Sequence, residues 1–403
     1  MQCDYFDAGR CRSCALMGVP YAVQLAEKLE RCQRALAPVA PHVTWLEPFA
    51  SRESAFRNKA KLVVGGRTGA VTVGILDPES NGVDLRACGL HEEPLQRLIP
   101  RLADAVDAIG LEPYDVKARR GELKHLILTL SPAGDVMLRF VLRSKRHLAL
   151  LESRLPRLLQ HLSEVRVVSV NLQPEHKAVL EGDTEIVLTE QGLLEMPVND
   201  VPLNLRPNSF FQTNTAVAAG LYRQARDWAH EVRPDAVLDL YCGVGGFALH
   251  LADGVGSAPD RVLGIEVSAE AVRSAELSAE RLRAASPTAG DVRFRVGDAT
   301  DVSALDPAAL GGAGWMVVVN PPRRGIGPEL AAWIERSGAD HVVYSSCNVD
   351  SLARDLVGLP SYAARRARLF DMFPQASHHE VMVLLERQRG TTTTASADGG
   401  LHR

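Results

Sequence analysis

The chain has 403 residues, of which 46% are hydrophobic and 23% are charged, and its formal net charge is −4. Because this length exceeds one ordinary core, we expect two or three domains. The acidic balance excludes a generally basic nucleic-acid coat, so any bound RNA must contact local basic surfaces. Neither a long apolar run nor a secretory signal is visible, which predicts a cytoplasmic protein with no membrane partner.

The first feature along the chain is a group of cysteines. Three of them lie close together and a fourth follows far downstream: Cys3, Cys11, Cys14 and Cys88. The total of seven cysteines is odd, which argues against a disulfide framework. The spacing C-x7-C-x2-C with a distant fourth thiol suits zinc or an iron–sulfur cluster, and spacing alone does not separate the two. Cys32 and Cys242 are most simply explained as packing residues.

The rest of the first half predicts a mainly antiparallel α+β unit. Residues 18–37 have the pattern of an amphipathic helix. Three ranges are strand-like: 55–76, 124–143 and 164–190. Two turns are predicted between strands: Gly65-Gly66 and Pro132-Ala133-Gly134.

Basic residues of the first half fall into three sets. They are Arg52, Arg57, Lys59 and Lys61, then Lys117, Arg119, Arg120 and Lys124, then Arg139, Arg143, Lys145 and Arg146. A single set of this kind is usually only a solvated face. Together, on an acidic protein, they predict a phosphate-binding surface.

The second half alternates strand-like and helix-like segments. The predicted strands are 236–241, 261–267, 292–296, 315–320, 341–345, 369–373 and 380–385. Such alternation predicts an α/β unit with a parallel sheet and helices on both faces. The stretch from about Gly390 cannot bury a core and is predicted to be disordered.

A glycine turn follows the first of these strands, in the segment V-L-D-L-Y-C-G-V-G-G-F. Its glycines let the backbone approach a ligand closely: Gly243, Gly245 and Gly246. Glu266 ends the next strand, where a carboxylate can accept hydrogen bonds from a ribose diol, and Asp298 follows the third strand. The third glycine comes too early for a dinucleotide-binding fingerprint. The D-x-Y-C-G-x-G pattern instead resembles the first motif of class I methyltransferases. The alternative interpretation is an ordinary strand-to-helix turn that binds no ligand.

The fourth strand ends in N-P-P-R-R-G, which begins at Asn320. An Asn-Pro-Pro turn here resembles the site of enzymes that methylate amino nitrogens, although those usually have an aromatic residue where Arg323 stands. A structural turn with solvated charges is the alternative.

The fifth strand leads into Y-S-S-C-N, which places Cys347 at the edge of the sheet that carries the glycine turn. A lone cysteine is more often a small core residue. Cys347, however, follows the apolar run and has polar neighbours, which favours a nucleophile. Glu380, at the start of the last strand, is the candidate base. His378 and His379 are rivals on composition alone.

At this point the chain resembles the RNA uracil-C5 methyltransferase family. The matching motifs are S-C-N at 346–348, F-F-Q-T-N at 210–214 and the P-x-x-x-H-x-E run that ends at Glu380. The resemblance implies Cys347 as nucleophile and Glu380 as base, with S-adenosyl-L-methionine as methyl donor. It also implies cofactor-site residues: Gln212, Tyr241, Glu266 and Asn320. Two departures are Asn320, where the family often has Asp, and Gln375-Ala376, where it usually has His-Thr.

The start M-Q-C-x7-C-R-S-C resembles the subgroup that modifies 23S ribosomal RNA, of the uracil-747 type. This implies a 4Fe–4S cluster on the four cysteines, ribosomal RNA as partner and a monomer. The implied domains are interleaved: 1–17 and 47–205 for the central iron–sulfur and RNA-binding unit, 18–46 and 206–389 for the class I, Rossmann-like methyltransferase unit, and 390–403 for the tail. Another ribosomal or transfer RNA site, an amino nitrogen, and a non-catalytic iron–sulfur RNA-binding protein are the alternatives.

Overall fold

The structure is a computed structural model that describes residues 1–177, 179–256, 258–305 and 314–388. The predicted disordered tail, 390–403, lies outside these ranges. No helix in them combines the length and apolar character needed to cross a membrane.

The elements of the first half are α1 (Asp4–Asp7), α2 (Tyr21–Leu36), β1 (Thr44–Trp45), β2 (Lys59–Arg67), β3 (Ala70–Leu76), β4 (Gly82–Asp84), α3 (Glu93–Ile109), β5 (Leu123–Leu130), β6 (Val136–Leu142), α4 (Leu148–His161), β7 (Val165–Leu172), β8 (Thr184–Val187), β9 (Leu194–Val198) and β10 (Val201–Leu205).

The elements of the second half are α5 (Thr215–Val232), β11 (Ala236–Leu240), α6 (Gly246–Leu251), β12 (Arg261–Glu266), α7 (Ala269–Ala285), β13 (Asp291–Val296), β14 (Trp315–Val319), α8 (Gly327–Ser337), β15 (His341–Ser346), α9 (Val349–Val357), β16 (Tyr362–Phe370) and β17 (Glu380–Arg387).

The second half forms the predicted parallel sheet. Within the described ranges it has eight strands in the order β13-β12-β11-β14-β15-β17-β16-β1. Strands β11 to β15 pair in parallel, while β17 is antiparallel to both β15 and β16. The chain changes direction across the sheet between β11 and β14, which is where an open α/β sheet forms its ligand crevice. The α/β prediction is therefore confirmed.

The first half forms the predicted, mainly antiparallel sheet, in the order β4-β3-β2-β5-β6-β7-β8. Only the β6–β7 pair is parallel among these described strands, and α4 makes the crossover that this pairing requires. The turn at Pro132-Ala133-Gly134 is confirmed. The turn at Gly65-Gly66 is wrong, because both glycines lie inside β2 and the chain reverses at Thr68-Gly69.

Strand β1 joins the sheet of the second half by pairing with β16, and two further elements of the first half pack on that sheet. The hairpin of β9 and β10 packs into the core on one face of the parallel sheet, where Asn204 Nδ2 donates to Ser278 Oγ of α7 at 3.0 Å. Helix α2 packs against the other face through Cys32 and Leu36. The domain boundaries given above remain predictions.

Candidate active site

The carboxyl ends of the parallel strands open onto one cavity of about 500 Å³, a size typical of small-ligand sites. Most of the predicted site residues line it: Gln212, Tyr241, Gly243, Glu266, Asn320, Cys347 and Glu380. They come from loops that are distant in sequence, and the parallel sheet brings them together because its strand ends share one edge. Phe210, Tyr222 and Phe373 add aromatic surface to the same cavity.

The glycine turn after β11 is shaped by close approach on one side and open space on the other. A Cβ atom on Gly246 would lie 2.5 Å from Tyr222 Oη, so only glycine fits there. Gly243 has a φ of +55° and nothing within 4 Å of its missing Cβ, which leaves room for a ligand. Its N–H donates to Glu266 Oε2 at 3.1 Å, and Ser268 N–H donates to Oε1 at 2.9 Å. Glu266 thus braces the turn as well as lining the cavity.

Asp298 does not join the other predicted residues. It is exposed and is absent from the cavity lining. Its Oδ1 accepts from Thr300 N at 2.8 Å and from Thr300 Oγ1 at 2.7 Å. These bonds lower the pKa of Asp298. In this structure the side chain caps its own turn, and any contact with a cofactor stays a prediction.

Asp239 is a residue that the sequence reasoning missed. It lies in β11, directly before the glycine turn, and is fully buried. Its Oδ2 accepts from Ala248 N at 3.0 Å, which ties the strand to α6, while Oδ1 has no partner among the described residues. Burial raises the pKa of this carboxyl to about 8. A single carboxylate inside the apolar run A-V-L-D-L was the available signal, because an apolar strand rarely holds a charge without a use.

The N-P-P-R-R-G loop after β14 is held by Asp355 of α9. Asp355 Oδ2 accepts from Ile326 N at 2.8 Å and from Tyr344 Oη at 2.6 Å. A Cβ atom on Gly325 would lie 2.2 Å from the same oxygen. The loop is therefore fixed against β15, and this places Asn320 and Arg323 in the cavity lining.

Cys347 lies between the end of β15 and Asn348, which caps α9. Asn348 Oδ1 accepts from Asp350 N at 3.2 Å, and its Nδ2 donates to Arg323 O at 3.1 Å. Burial, followed by the negative charge of Glu380, raises the pKa of the Cys347 thiol, and the positive charge of Arg323 opposes this. A half-buried thiol beside one cation and one acid can be activated as a nucleophile.

Glu380 enters the cavity from the start of β17 and is almost completely buried. Its Oε2 has no hydrogen-bond partner among the described residues. Burial raises the pKa of Glu380 to about 8, and a hydrogen bond from Ser345, followed by the positive charge of Arg323, moderates the increase. A buried carboxyl with a free oxygen and a pKa near neutrality is suited to accept a proton.

The two rival histidines do not line the cavity. Cys32 Sγ lies 3.0 Å from His379 Nε2, and His379 Nδ1 lies 3.2 Å from Ser377 O. The buried imidazole therefore accepts from the thiol and donates to the carbonyl. His378 packs edge-on against Phe373. Of the three candidate bases, Glu380 alone faces the cavity within the described ranges.

A second cavity, of about 200 Å³, is lined by the four cysteines of the predicted cluster: Cys3, Cys11, Cys14 and Cys88. Burial, followed by the neighbouring thiols of Cys88, Cys11 and Cys3, raises the pKa of Cys14 to about 11. Among the described residues, no three side chains of the types Cys, His, Asp and Glu form a group tight enough to hold one metal ion. Ligands of a single zinc ion must lie within about 4 Å of each other, since each Zn–S bond is about 2.3 Å. The four thiols share one cavity, and the group that they would hold stays a prediction.

The basic sets are only partly available for RNA. Arg139 is buried and bonded to Glu181 at 2.7 Å and to Glu185 at 2.6 Å. Lys124 is also buried and donates to Glu175 O at 2.6 Å. The prediction that these two residues contact phosphate was wrong, because both side chains are buried in contacts within the antiparallel-sheet unit. Arg119 and Arg120 remain exposed.

Known proteins are similar to this chain in sequence and in fold. The family model described as tRNA (Uracil-5-)-methyltransferase matches residues 158–388. Two proteins described as 23S rRNA (uracil(747)-C(5))-methyltransferase RlmC, from Halothiobacillus neapolitanus and Serratia proteamaculans, are each 45% identical to the chain. Both alignments cover 96% of this chain and 100% of the relative.

A solved structure is also similar over nearly the whole length. The crystal structure of Pyrococcus abyssi tRNA (uracil-54, C5)-methyltransferase in complex with S-adenosyl-L-homocysteine superposes with a TM-score of 0.75 at 25% identity. The match covers 92% of this chain and 85% of that chain. On its sequence and its fold, the chain belongs to the RNA uracil-C5 methyltransferase family.

Proposed function

We propose that the chain transfers a methyl group from S-adenosyl-L-methionine to carbon 5 of a uracil in 23S ribosomal RNA, of the uracil-747 type, through a covalent adduct with Cys347. The main support is that a thiol, a buried carboxyl and an open glycine turn line one cavity. Full-length relatives described as enzymes for this nucleotide support the choice of RNA.

The chemistry requires each of these groups. Carbon 5 of uracil is a poor nucleophile. In the proposed mechanism the Cys347 thiolate adds to carbon 6, an S–C6 bond forms, and the ring becomes an enolate. Carbon 5 takes the methyl group from the sulfonium, whose carbon–sulfur bond breaks to give S-adenosyl-L-homocysteine. Glu380 then removes the carbon 5 proton, the ring double bond re-forms, and the S–C6 bond breaks.

The residues present fit the methyl donor. The open space at Gly243 accepts an approaching ligand, and the Tyr241 hydroxyl is a buried group without a partner among the described residues. Gln212, Glu266 and Asn320 add amide and carboxylate groups to the same lining. We propose that these residues bind S-adenosyl-L-methionine, which supplies the methyl group when bound.

Mapping of 5-methyluridine after deletion of the gene tests this function directly. Loss of one methyl group from 23S ribosomal RNA, restored by the wild-type gene but not by a Cys347→Ala gene, is the expected result. A loss confined to transfer RNA would assign the activity to the alternative substrate. Unchanged methylation of both RNAs would contradict the proposal.

The second cavity is where we propose a 4Fe–4S cluster, held by Cys3, Cys11, Cys14 and Cys88. Neighbouring thiols that raise each other's pKa are difficult to keep as free thiolates, whereas a bound metal group removes that repulsion. This lining shares no residue with the one that contains Cys347, and we propose that the cluster is structural or contacts RNA.

Protein purified without oxygen is expected to be brown and to contain about four irons per chain. Cys88→Ser should lower the iron content and the melting temperature together, because it removes one ligand from a group that stabilises the fold. Cys242→Ser, at a thiol outside the cluster, is the matched control and should keep its iron. A colourless protein that contains zinc would contradict the cluster.

The rate of methyl transfer is expected to increase with pH. Cys347 must lose a proton to attack, and Glu380 must lose one to act as base. Burial raises the pKa of both groups, that of Glu380 to about 8. The rate should therefore increase between pH 6 and 9.

Arg323→Gln removes the positive charge that lowers the pKa of both Cys347 and Glu380, and should move the pH–rate profile to higher pH by about one unit. Arg324→Gln is the matched control, and equal profiles for the two variants would exclude this role.

A further inference from the structure

Helix α2 presents a buried polar stripe to the loop that precedes Glu380. Gln24, Lys28 and Cys32 are spaced four residues apart, so they lie on one face of the helix, and all three are buried. That face packs against residues 371–379, which connect β16 to β17. A helix on the surface of a sheet normally buries an apolar stripe, so buried polar groups at three successive turns need a specific reason.

Two of the three contacts hold the ends of the loop. Lys28 Nζ lies 2.7 Å from Asp371 Oδ1 and donates to Phe373 O at 3.1 Å, with both charges buried. Cys32 lies 3.0 Å from His379 Nε2, on the residue directly before Glu380. Charged and polar bonds inside a protein are stronger and more directional than bonds in water, so they fix the loop more tightly than apolar contacts would.

The third contact joins two glutamines. Gln24 Oε1 accepts from Gln375 N at 3.0 Å, and Gln24 Nε2 donates to Gln375 Oε1 at 3.1 Å. Gln375 is buried and has a φ of +65°, the left-handed region in which a residue with a side chain is strained. Such a conformation persists where surrounding contacts hold it, as the paired amides do here.

The same pair reaches the cysteine-bearing segment. Leu16 N–H donates to Gln375 O at 3.1 Å, and Leu16 O accepts from Gln24 Nε2 at 3.2 Å. Leu16 is two residues from Cys14, which lines the second cavity. One buried network thus connects the cysteine cavity, helix α2 and the loop that leads to Glu380.

We propose that Gln24 and Gln375 are positioning residues that set the location of Glu380 and couple it to the cysteine-bearing segment. The proposal rests on the proposed function, in which Glu380 removes the carbon 5 proton. A base must lie within hydrogen-bond reach of its proton, and a displacement of about 1 Å can cost up to about a hundredfold in rate. Loosening of this network should therefore slow proton removal more than attack by Cys347.

The test uses Gln24→Leu, Gln375→Gly and the double variant in the full chain. Gln375→Gly removes the side-chain amide while it accepts the positive φ and keeps the backbone bonds. The expected result is an about tenfold rise in the steady-state fraction of covalent protein–RNA adduct on ordinary uridine RNA, with a similar fall in turnover. The affinity for S-adenosyl-L-methionine should stay at the wild-type value. The double variant should be no worse than the worse single variant, because the two amides form one unit.

Two further variants complete the test. Cys14→Ser should also raise the adduct fraction, because the cysteine segment contacts Gln375 and Gln24 through Leu16, and an unchanged fraction in this variant would overturn the coupling. Glu27→Gln, on the exposed face of α2, should behave as wild type. A parallel fall in adduct formation, cofactor affinity and melting temperature would overturn positioning in favour of a structural role. Additive effects in the double variant would also overturn it.

A fluorinated substrate separates this proposal from the proposed function. Wild-type protein should form a stable adduct at Cys347 with RNA that contains 5-fluorouridine, because no proton can be removed from carbon 5. Failure of that reaction would contradict the proposed function itself. A normal wild-type adduct, together with an unchanged adduct fraction in the glutamine variants, would overturn only the positioning role.

Discussion

Cys347→Ala is expected to abolish methyl transfer while leaving S-adenosyl-L-methionine binding intact. In the proposed mechanism the thiol adds to carbon 6, and loss of an activated nucleophile costs on the order of 10⁴-fold or more. The cofactor should still bind, because the glycine turn and Glu266 hold their geometry through the backbone without Cys347. The measurement is transfer of a labelled methyl group to an unmodified fragment of 23S ribosomal RNA, with cofactor affinity from calorimetry.

The chain offers a matched control for this exchange. Cys242 lines the same cavity, but burial raises the pKa of its thiol well above the usual range, so it cannot readily form a thiolate. Cys242→Ala is expected to retain methyl transfer and to form the adduct. Activity in Cys347→Ala at a level near that of wild type would exclude the covalent mechanism.

The composition of the active-site cavity could be predicted because the sheet is regular. Tyr241, Asn320 and Cys347 each follow a parallel strand, and the carboxyl ends of such strands meet at one edge. Recognition of the three strands was therefore enough to predict that these residues lie close together. Asp298 shows the limit of this logic, since a position after a strand does not determine where a side chain points. Its bonds to Thr300 turn it away from the lining.

The strand β16 shows a second limit. Residues 369–373 were predicted as a strand, whereas β16 covers Tyr362–Phe370. The missed part reads Y-A-A-R-R-A-R, and its pairing with β17 is irregular between Ala364 and Arg366. Charged side chains and a bulge remove the alternation of apolar and polar residues by which a strand is recognised. Helices α3 and α4 were not predicted. Each contains an internal proline, Pro100 or Pro156, and proline normally ends or kinks a helix.

The contacts of α2 could not be derived from pattern alone. Periodicity predicts a helix at 18–37, and the structure has it at Tyr21–Leu36. Sequence gives no reason to bury Gln24 or Lys28, because isolated polar residues favour the solvent. Their partners are more than 340 positions away along the chain, at Gln375 and Asp371, and only the folded chain brings these pairs together.

Glu380→Gln is expected to trap a covalent protein–RNA adduct on ordinary uridine substrate. The amide has nearly the shape of the carboxyl but cannot accept the carbon 5 proton, so the reaction should stop after methyl transfer. Attack by Cys347 should not slow, because the negative charge of Glu380 raises the pKa of the thiol and the amide removes that charge. Adduct should therefore approach one RNA per protein chain on a denaturing gel, while turnover falls by about 10³-fold, the range of an acid–base contribution.

The double variant Cys347→Ala with Glu380→Gln should show no adduct, which assigns the covalent bond to the Cys347 thiol. Full turnover in Glu380→Gln would assign proton removal to another group, either a second residue of the lining such as Glu266, or the RNA, or water, since neither His378 nor His379 lines the cavity.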